Sequence, residues 1–296
     1  MTYFGFLFRF LFLPILIFLV ITLWDNRRGK QIQDFRSGRA VWTAIGIHVL
    51  LAVIYTTPWD NYLVATDVWY YNPNLVTGIV FGYVPIEEYT FFVVETVLAG
   101  LWWWFLARRI SPPPMGEGLG VRENFLPRFD FSTAPLSEEN FTPNKRLVYM
   151  SSCVLIVAWM IFTCLFFLGD PKWTYLSITL SWALPAILPQ LLFGADILWH
   201  YRKLVFWAIM VLGTYLSLMD VVALRDTTWS ISKEQTTGVL LFGILPLEEV
   251  VFFFITNILI TFGMTLLLAN VSEGRIGEIR KQVQAWKEVG LRPQTR

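Results

Sequence analysis

Apolar residues in this chain run in long blocks, with neither the two-residue alternation of a half-buried strand nor the narrow stripe of a surface helix. Seven blocks approach the ~20 residues of helix that a bilayer demands. They run roughly from Phe4 to Trp24, Val41 to Thr57, Gly78 to Ala107, Leu147 to Gly169, Tyr175 to Trp199, Leu204 to Val222 and Gly238 to Ala269. The pattern predicts an all-α polytopic membrane protein of about seven transmembrane helices. No basic region precedes the first block, and Arg27 and Arg28 follow it. It therefore reads as a retained span and not as a cleaved leader.

Composition agrees with the pattern: 55% of residues are hydrophobic and 15% are charged, against roughly 25% charged in a soluble domain. A soluble enzyme is excluded. With 23 Lys and Arg against 22 Asp and Glu, the net charge of +1 gives no basic field for nucleic acid. The distribution of charge is more telling than its sum. Connections 25–40, 108–146, 200–203 and 270–296 carry 19 Lys and Arg, whereas 58–77, 170–173 and 223–237 carry 3. The positive-inside rule then places the N-terminus outside, and the C-terminus and the 108–146 linker in the cytoplasm. The linker holds Pro112, Pro113, Pro114 and three nearby glycines without periodicity, and its glycines lack the dinucleotide-binding spacing. Cys153 and Cys164 lie in one block, about 16 Å apart along a helix, so they cannot bond to each other.

The two halves of the chain resemble each other. Phe-Gly-Tyr-Val-Pro-Ile-Glu-Glu-Tyr (81–89), followed by Phe91-Phe92, matches Phe-Gly-Ile-Leu-Pro-Leu-Glu-Glu-Val (242–250), followed by Phe252-Phe253, at an offset of 161. Upstream, Tyr55, Asp60, Trp69 and Gly78 match Tyr215, Asp220, Trp229 and Gly238 at an offset of 160. Spans 1 to 3 thus correspond to spans 5 to 7, and Pro14 and Trp24 pair weakly with Pro189 and Trp199. Three spans alone would invert the second copy. The extra fourth span restores its direction, giving two parallel three-helix repeats joined by an extra span. The expected organisation is a first repeat over 1–107, a cytoplasmic linker over 108–146, a connecting helix over 147–174, a second repeat over 175–270 and a tail over 271–296.

Parallel repeats would bring Glu87 and Glu88 to the depth of Glu248 and Glu249, so that four carboxyl groups line one cavity. A carboxyl group at membrane depth costs several kcal/mol and normally faces a bundle interior or water. Burial and like-charge crowding favour the protonated form of such a group, the form a general acid needs. Pro85 and Pro246 are expected to kink the acidic helices and free carbonyls beside the acids. Glu95 lies two turns beyond Glu88, with Thr256 as its counterpart, and reads as a polar support. Asp60 and Asp220 are expected at the outer ends of spans 2 and 6. Tyr89, Phe92 and Phe253 are the aromatic candidates for shielding a cation and binding substrate. Arg9 and His48 read as a snorkelling and a packed residue, and no spacing of metal ligands or aspartate-rich motif is visible.

The duplicated Pro-x-Glu-Glu helices, the Thr-Pro-Trp-Asp-Asn-Tyr stretch (57–62) and the three-span repeat resemble the non-flavin integral-membrane lycopene cyclases, in their fused form. The resemblance covers about residues 1–107 and 147–270. It implies a lycopene β-cyclase that takes linear lycopene from the bilayer and closes its ψ ends to β-rings by acid–base catalysis, without redox change and without a cofactor or metal. Carried over, the family motif falls on Pro85, Glu87 and Glu88 and on Pro246, Glu248 and Glu249. Which glutamate is acid and which is base stays open, as do membrane lipid and other carotenoid enzymes as partners. The match of Trp-Ser-Ile-Ser-Lys (229–233) to Trp-Tyr-Tyr-Asn-Pro (69–73) is weak, so the two outer loops need not be equal. A cyclase of C50 or other carotenoid end groups and a proton-coupled transporter remain as alternatives.

Overall fold

The computed structural model describes residues 1–30, 32, 34–110 and 141–290. Residues 111–140 of the expected linker and the last six residues of the expected tail lie outside the described residues. Seven segments among the described residues are long and apolar enough to cross a membrane: Tyr3–Arg27, Arg39–Ala65, Ile86–Arg109, Lys145–Leu168, Pro171–His200, Arg202–Arg225 and Leu247–Leu268. The chain is an all-α multi-pass membrane protein.

The first span comprises α1 (Tyr3–Leu7), a π-helical turn (Phe8–Phe12) and α2 (Leu13–Arg27). Pro14 has no N–H to offer the carbonyl of Phe10 one turn back. The Tyr215 hydroxyl donates to that carbonyl instead, at 2.8 Å. The second span is α3 (Arg39–Ala65), and the third is α4 (Ile86–Ile110). After 111–140 come α5 (Lys145–Leu168), α6 (Thr174–His200), α7 (Arg202–Arg225), α8 (Leu247–Leu268) and α9 (Val271–Gly290). Pro185 in α6 leaves the Ser181 carbonyl free in the same way, and Trp159 Nε1 of α5 donates to it at 3.2 Å. Two prolines thereby become interhelical contacts.

The most buried helices, α4, α7 and α8, pack on one another, α3 packs against α4 and α8, α6 packs against α8, and α5 packs on α6 at the periphery. Of the most apolar stretch of α5, 6% is buried, against 72% for α4. The apolar surface of α5 therefore faces lipid, as its composition allows.

Spans 3 and 7 start later than the hydropathy suggests. Residues from Gly78 and Gly238 are apolar, yet they form hairpins: β2 (Val80–Phe81) pairs with β3 (Val84–Pro85), and β5 (Leu240–Leu241) with β6 (Leu245–Pro246). Pro85 and Pro246 therefore do not kink a helix. They end the hairpins and immediately precede the first turns of α4 and α8, where a missing N–H is tolerated. The residue that changes the repeat offset from 160 to 161 sits in the second turn. The first hairpin turns on Gly82-Tyr83, the second on Phe242-Gly243-Ile244, with positive φ at Gly82, Phe242 and Gly243.

Residues equivalent in the two repeats meet at two levels. Strands β1 (Trp69–Tyr71) and β4 (Trp229–Ile231) pair antiparallel with Tyr70 opposite Ser230. Deeper in the bundle, the Thr256 hydroxyl donates to Glu95 at 3.1 Å. Both contacts are those expected along a pseudo-two-fold axis running down the bundle.

Candidate active site

The local geometry that holds the acids follows from the hairpins. In the first, the Ile86 N–H donates to the Ile79 carbonyl and the Thr77 N–H donates to Glu87 Oε1 at 2.6 Å. The second repeats both bonds, from the Leu247 N–H to the Val239 carbonyl and from the Thr237 N–H to Glu248 Oε1 at 2.7 Å. Glu87 and Glu248 thus tie the hairpins back to the helices, at the helix starts where a carboxylate suits the dipole. The adjacent Glu88 and Glu249 project about 100° around the helix. They line a single shared cavity of about 20 Å³.

Each inward glutamate is held by a tyrosine from the start of another span. The Tyr3 hydroxyl donates to Glu88 Oε2. The Tyr175 hydroxyl donates to Glu249 Oε1 at 2.6 Å. The two tyrosines are placed alike, since the Tyr3 N–H donates to the Leu75 carbonyl and the Tyr175 N–H to the Gln235 carbonyl. Asp60 and Asp220 are also inside, fully buried within α3 and α7. They lie in the last two turns of their spans, near the expected ends, but inside the helices and not in the loops, since α3 continues through Pro58 to Ala65 and α7 runs on to Arg225.

Aromatic faces make up most of the remaining wall: Trp69 and Tyr71 from β1, Trp229 from β4, Phe91 from α4, and Phe252 and Phe253 from α8. Trp59 stacks on Phe252 from behind at 5.3 Å. Tyr71 lies outside the spans. Burial, together with the nearby carboxyl groups of Asp60 and Glu88, pushes its phenol well above its ordinary value, so it remains a neutral hydroxyl.

Of the residues singled out from the sequence, Glu88, Glu249 and Phe253 line the cavity, and Glu87, Glu248, Pro85 and Pro246 hold the hairpins and helix starts that carry them. Glu95 lies at the pseudo-two-fold level below. Phe92 is buried but faces away, whereas Phe91, one position earlier, reaches the cavity. Tyr89 serves the hairpin: its hydroxyl donates to the Phe81 carbonyl at 3.1 Å and accepts from Asn61 Nδ2 at 3.0 Å. Tyr3 and Tyr175 were not singled out. Each sits at the start of an apolar block, where a tyrosine resembles ordinary interface decoration.

Chemically, the arrangement presents two buried carboxyl groups, each steadied by a phenol, to a small space walled mostly by π-faces. That is suited to adding a proton to an apolar molecule and removing another, with a cation between the two events shielded by aromatic rings.

Known proteins resemble this chain over most of its length. A lycopene beta-cyclase of Halobacterium salinarum is 33% identical over 245 residues, covering 82% of this chain and 85% of that protein. Bifunctional lycopene cyclase/phytoene synthases of Aspergillus oryzae and Podospora anserina are 29% and 31% identical over 77% and 75% of this chain. The match takes in 35% and 34% of those longer proteins. No family model and no solved structure matches the chain.

Proposed function

The chain belongs to the lycopene cyclase family, enzymes of carotenoid ring closure, and from that premise we propose that it closes β-rings on lycopene with Glu88 and Glu249 as its acid–base pair. The reading rests on one observation above all: the two inward glutamates come from different halves of the chain, yet they share one aromatic cavity. Protonation of the terminal C1=C2 bond at C2 leaves a tertiary cation at C1. The C5=C6 π-pair attacks C1, closing the six-membered ring and moving the charge to C5. Loss of the C6 proton restores a double bond between C5 and C6. One carboxyl group gives a proton, the other takes one, and no electrons are exchanged, so the reaction is an isomerisation.

Glu87 and Glu248 support this chemistry by fixing the hairpins and helix starts that aim their neighbours. The π-faces of Trp69, Trp229 and Phe252 line the same cavity and are suited to shielding the C1 and C5 cations. The cavity holds about one water molecule, so a carotenoid end group fits only as the aromatic wall moves aside. Lycopene arrives from the bilayer, consistent with its apolarity and with the lipid-facing hairpins. Val80, Phe81 and Tyr83 of the first hairpin are exposed, as are Val239, Leu240 and Phe242 of the second. The charge asymmetry supports an N-terminus outside and a C-terminus in the cytoplasm. The domain division is that of two cyclase-like repeats, 1–107 and 175–270, joined by the linker and the connecting helix. The bifunctional fungal relatives favour other carotenoid enzymes as partners.

Pigment analysis of lycopene-accumulating cells tests the reading. Expression of this chain is expected to convert lycopene to γ- and β-carotene. Glu88→Gln and Glu249→Gln, at matched membrane abundance, are each expected to lower the conversion by 10²-fold or more, within the range for losing a general acid or base. Untouched lycopene with well-expressed wild type would overturn it.

A further inference from the structure

The shared cavity is lined differently at its two ends. Equivalent residues face it from both halves of the chain: Trp69 and Trp229, Glu88 and Glu249, Phe91 and Phe252. Beyond those pairs the first half adds two phenols, Tyr3 and Tyr71, while the second half adds Phe253. Tyr175, which bonds Glu249, and Ile231, the counterpart of Tyr71, do not line the cavity. The halves differ elsewhere too. Asp220 accepts from Trp229 Nε1 at 2.8 Å while Asp60 has no hydrogen-bond partner, and Glu95 is matched by Thr256. None of these three acids lines the cavity, so the difference next to the reacting space is Tyr71 against Ile231.

Tyr71 is placed to act on Glu88. Its ring stacks on that of Tyr3, with centroids 6.2 Å apart and planes 18° apart, and the Tyr3 hydroxyl already donates to Glu88 Oε2. The Tyr71 hydroxyl is buried, has no hydrogen-bond partner and interacts electrostatically with Glu88. A buried hydroxyl without a partner is unfavourable, and its hydrogen rotates toward whatever acceptor is offered. Donors stabilise the ionised form of a carboxyl group over the neutral form. We propose that Tyr71 makes Glu88 the base of the pair, two phenols holding its carboxylate, and so leaves Glu249 as the acid. This rests on the acid–base reading above and assigns its two roles.

The Glu249 O–H bond then breaks as the C1=C2 π-pair forms a C–H bond at C2. After ring closure the C6–H bond breaks, its electrons form the C5=C6 double bond, and the proton goes to Glu88. Glu88 afterwards gives a proton to water and Glu249 takes one from water, with no net uptake. Tyr71 acts through Glu88 and is a positioning residue. The titratable groups facing Glu88 are Tyr3 of α1, Asp60 of α3, Tyr71 of β1, Asp220 of α7, and Glu87 and Glu95 of its own helix. Those facing Glu249 are Tyr175 of α6, Asp220 and Glu248. None is a cation, so stabilising charge falls to hydrogen-bond donors, of which Glu88 has two phenols and Glu249 one.

Infrared spectroscopy of the full chain in lipid at neutral pH, with ¹³C-carboxyl glutamate, tests the resting state. The label-sensitive band of protonated carboxyl groups is expected to lose a component in Glu249→Gln and none in Glu88→Gln. The pH profile of kcat/KM for lycopene tests the roles. Tyr71→Phe is expected to lower the rate about tenfold on the acidic side, where the base must ionise, and to leave the alkaline side in place. A component lost in Glu88→Gln, or none lost in Glu249→Gln, would overturn the proposal. So would a Tyr71→Phe rate that rises on the alkaline side, which would make Glu88 the acid, or one that is unchanged or falls equally at every pH. If Tyr71→Phe does not accumulate, the two glutamine variants decide by the infrared band. Wild type that leaves lycopene untouched would instead remove the function reading, while the band still decides which glutamate rests ionised.

Discussion

A hydrogen-bonded hydroxyl on each side steadies the carboxyl group that does the chemistry. Hydrogen bonds to charged groups contribute about 1.5–3 kcal/mol, so Tyr3→Phe and Tyr175→Phe are each expected to slow cyclisation by about tenfold or more without emptying the membrane of protein. Rates from matched membranes check this, and an unaltered rate in both variants would detach the phenols from the reaction. The acids themselves were legible in the sequence, because an adjacent pair at membrane depth, present twice, has few structural uses. Their aromatic neighbours were less so. Three and four positions beyond Glu88 are both phenylalanine, and both share its helix face to within a fraction of a turn. Only the packing of α4 against α8 decides that Phe91 enters the cavity while Phe92 does not.

Among the elements, the two hairpins determine where the acids point, and their turns differ in tolerance. Gly82 has φ +68°, and a Cβ there would come within 2.1 Å of Asn61 Oδ1, which also accepts the Tyr83 N–H at 2.8 Å. Gly243 has φ +70° with open space around it. Gly82→Ala is therefore expected to cost more stability and activity than Gly243→Ala, whose penalty is only the ~1–2 kcal/mol of left-handed backbone. Thermal unfolding in detergent, together with pigment yield, ranks the two. Between α3 and α8 the same test of space applies. A Cβ on Gly263 would meet His48 Nε2 at 2.0 Å, while His48 Nδ1 sits 2.7 Å from the Ala44 carbonyl. Gly263→Ala is expected to destabilise by about 1–3 kcal/mol, as overpacking does. His48→Ala in the same chain should recover part of the loss, and a double-mutant cycle that shows simple additivity would contradict that contact. Hydropathy located these helices but ran spans 3 and 7 into the hairpins. Exposed apolar strands and apolar helix are alike to a sliding average.

At the scale of the whole molecule, two ion pairs among the described residues fasten α9 to the bundle: an exposed one from Arg36 to Glu273 and a more buried one from Arg275 to Asp196. Arg275 meets both oxygens of Asp196 at 2.7 and 2.8 Å and also donates to the Phe193 carbonyl. Removing one member of a buried pair costs about 3–5 kcal/mol, so Arg275→Met is expected to lower the unfolding temperature in detergent. The double variant Asp196→Leu with Arg275→Met should lose less, and an equal or greater loss would contradict the account. The sequence by itself determined the seven spans, the duplication and the acid pairs, because membrane insertion reads hydrophobicity block by block and a charged group at depth stands out locally. Only the tertiary structure decided that Glu88 and Glu249 share one cavity, that Tyr3 and Tyr175 hold them, and that Asp60 lacks the donor Asp220 has. Those are contacts between residues more than seventy positions apart or differences in the direction of one indole N–H. They are set by how helices rotate and dock against one another, which no local pattern of residues records.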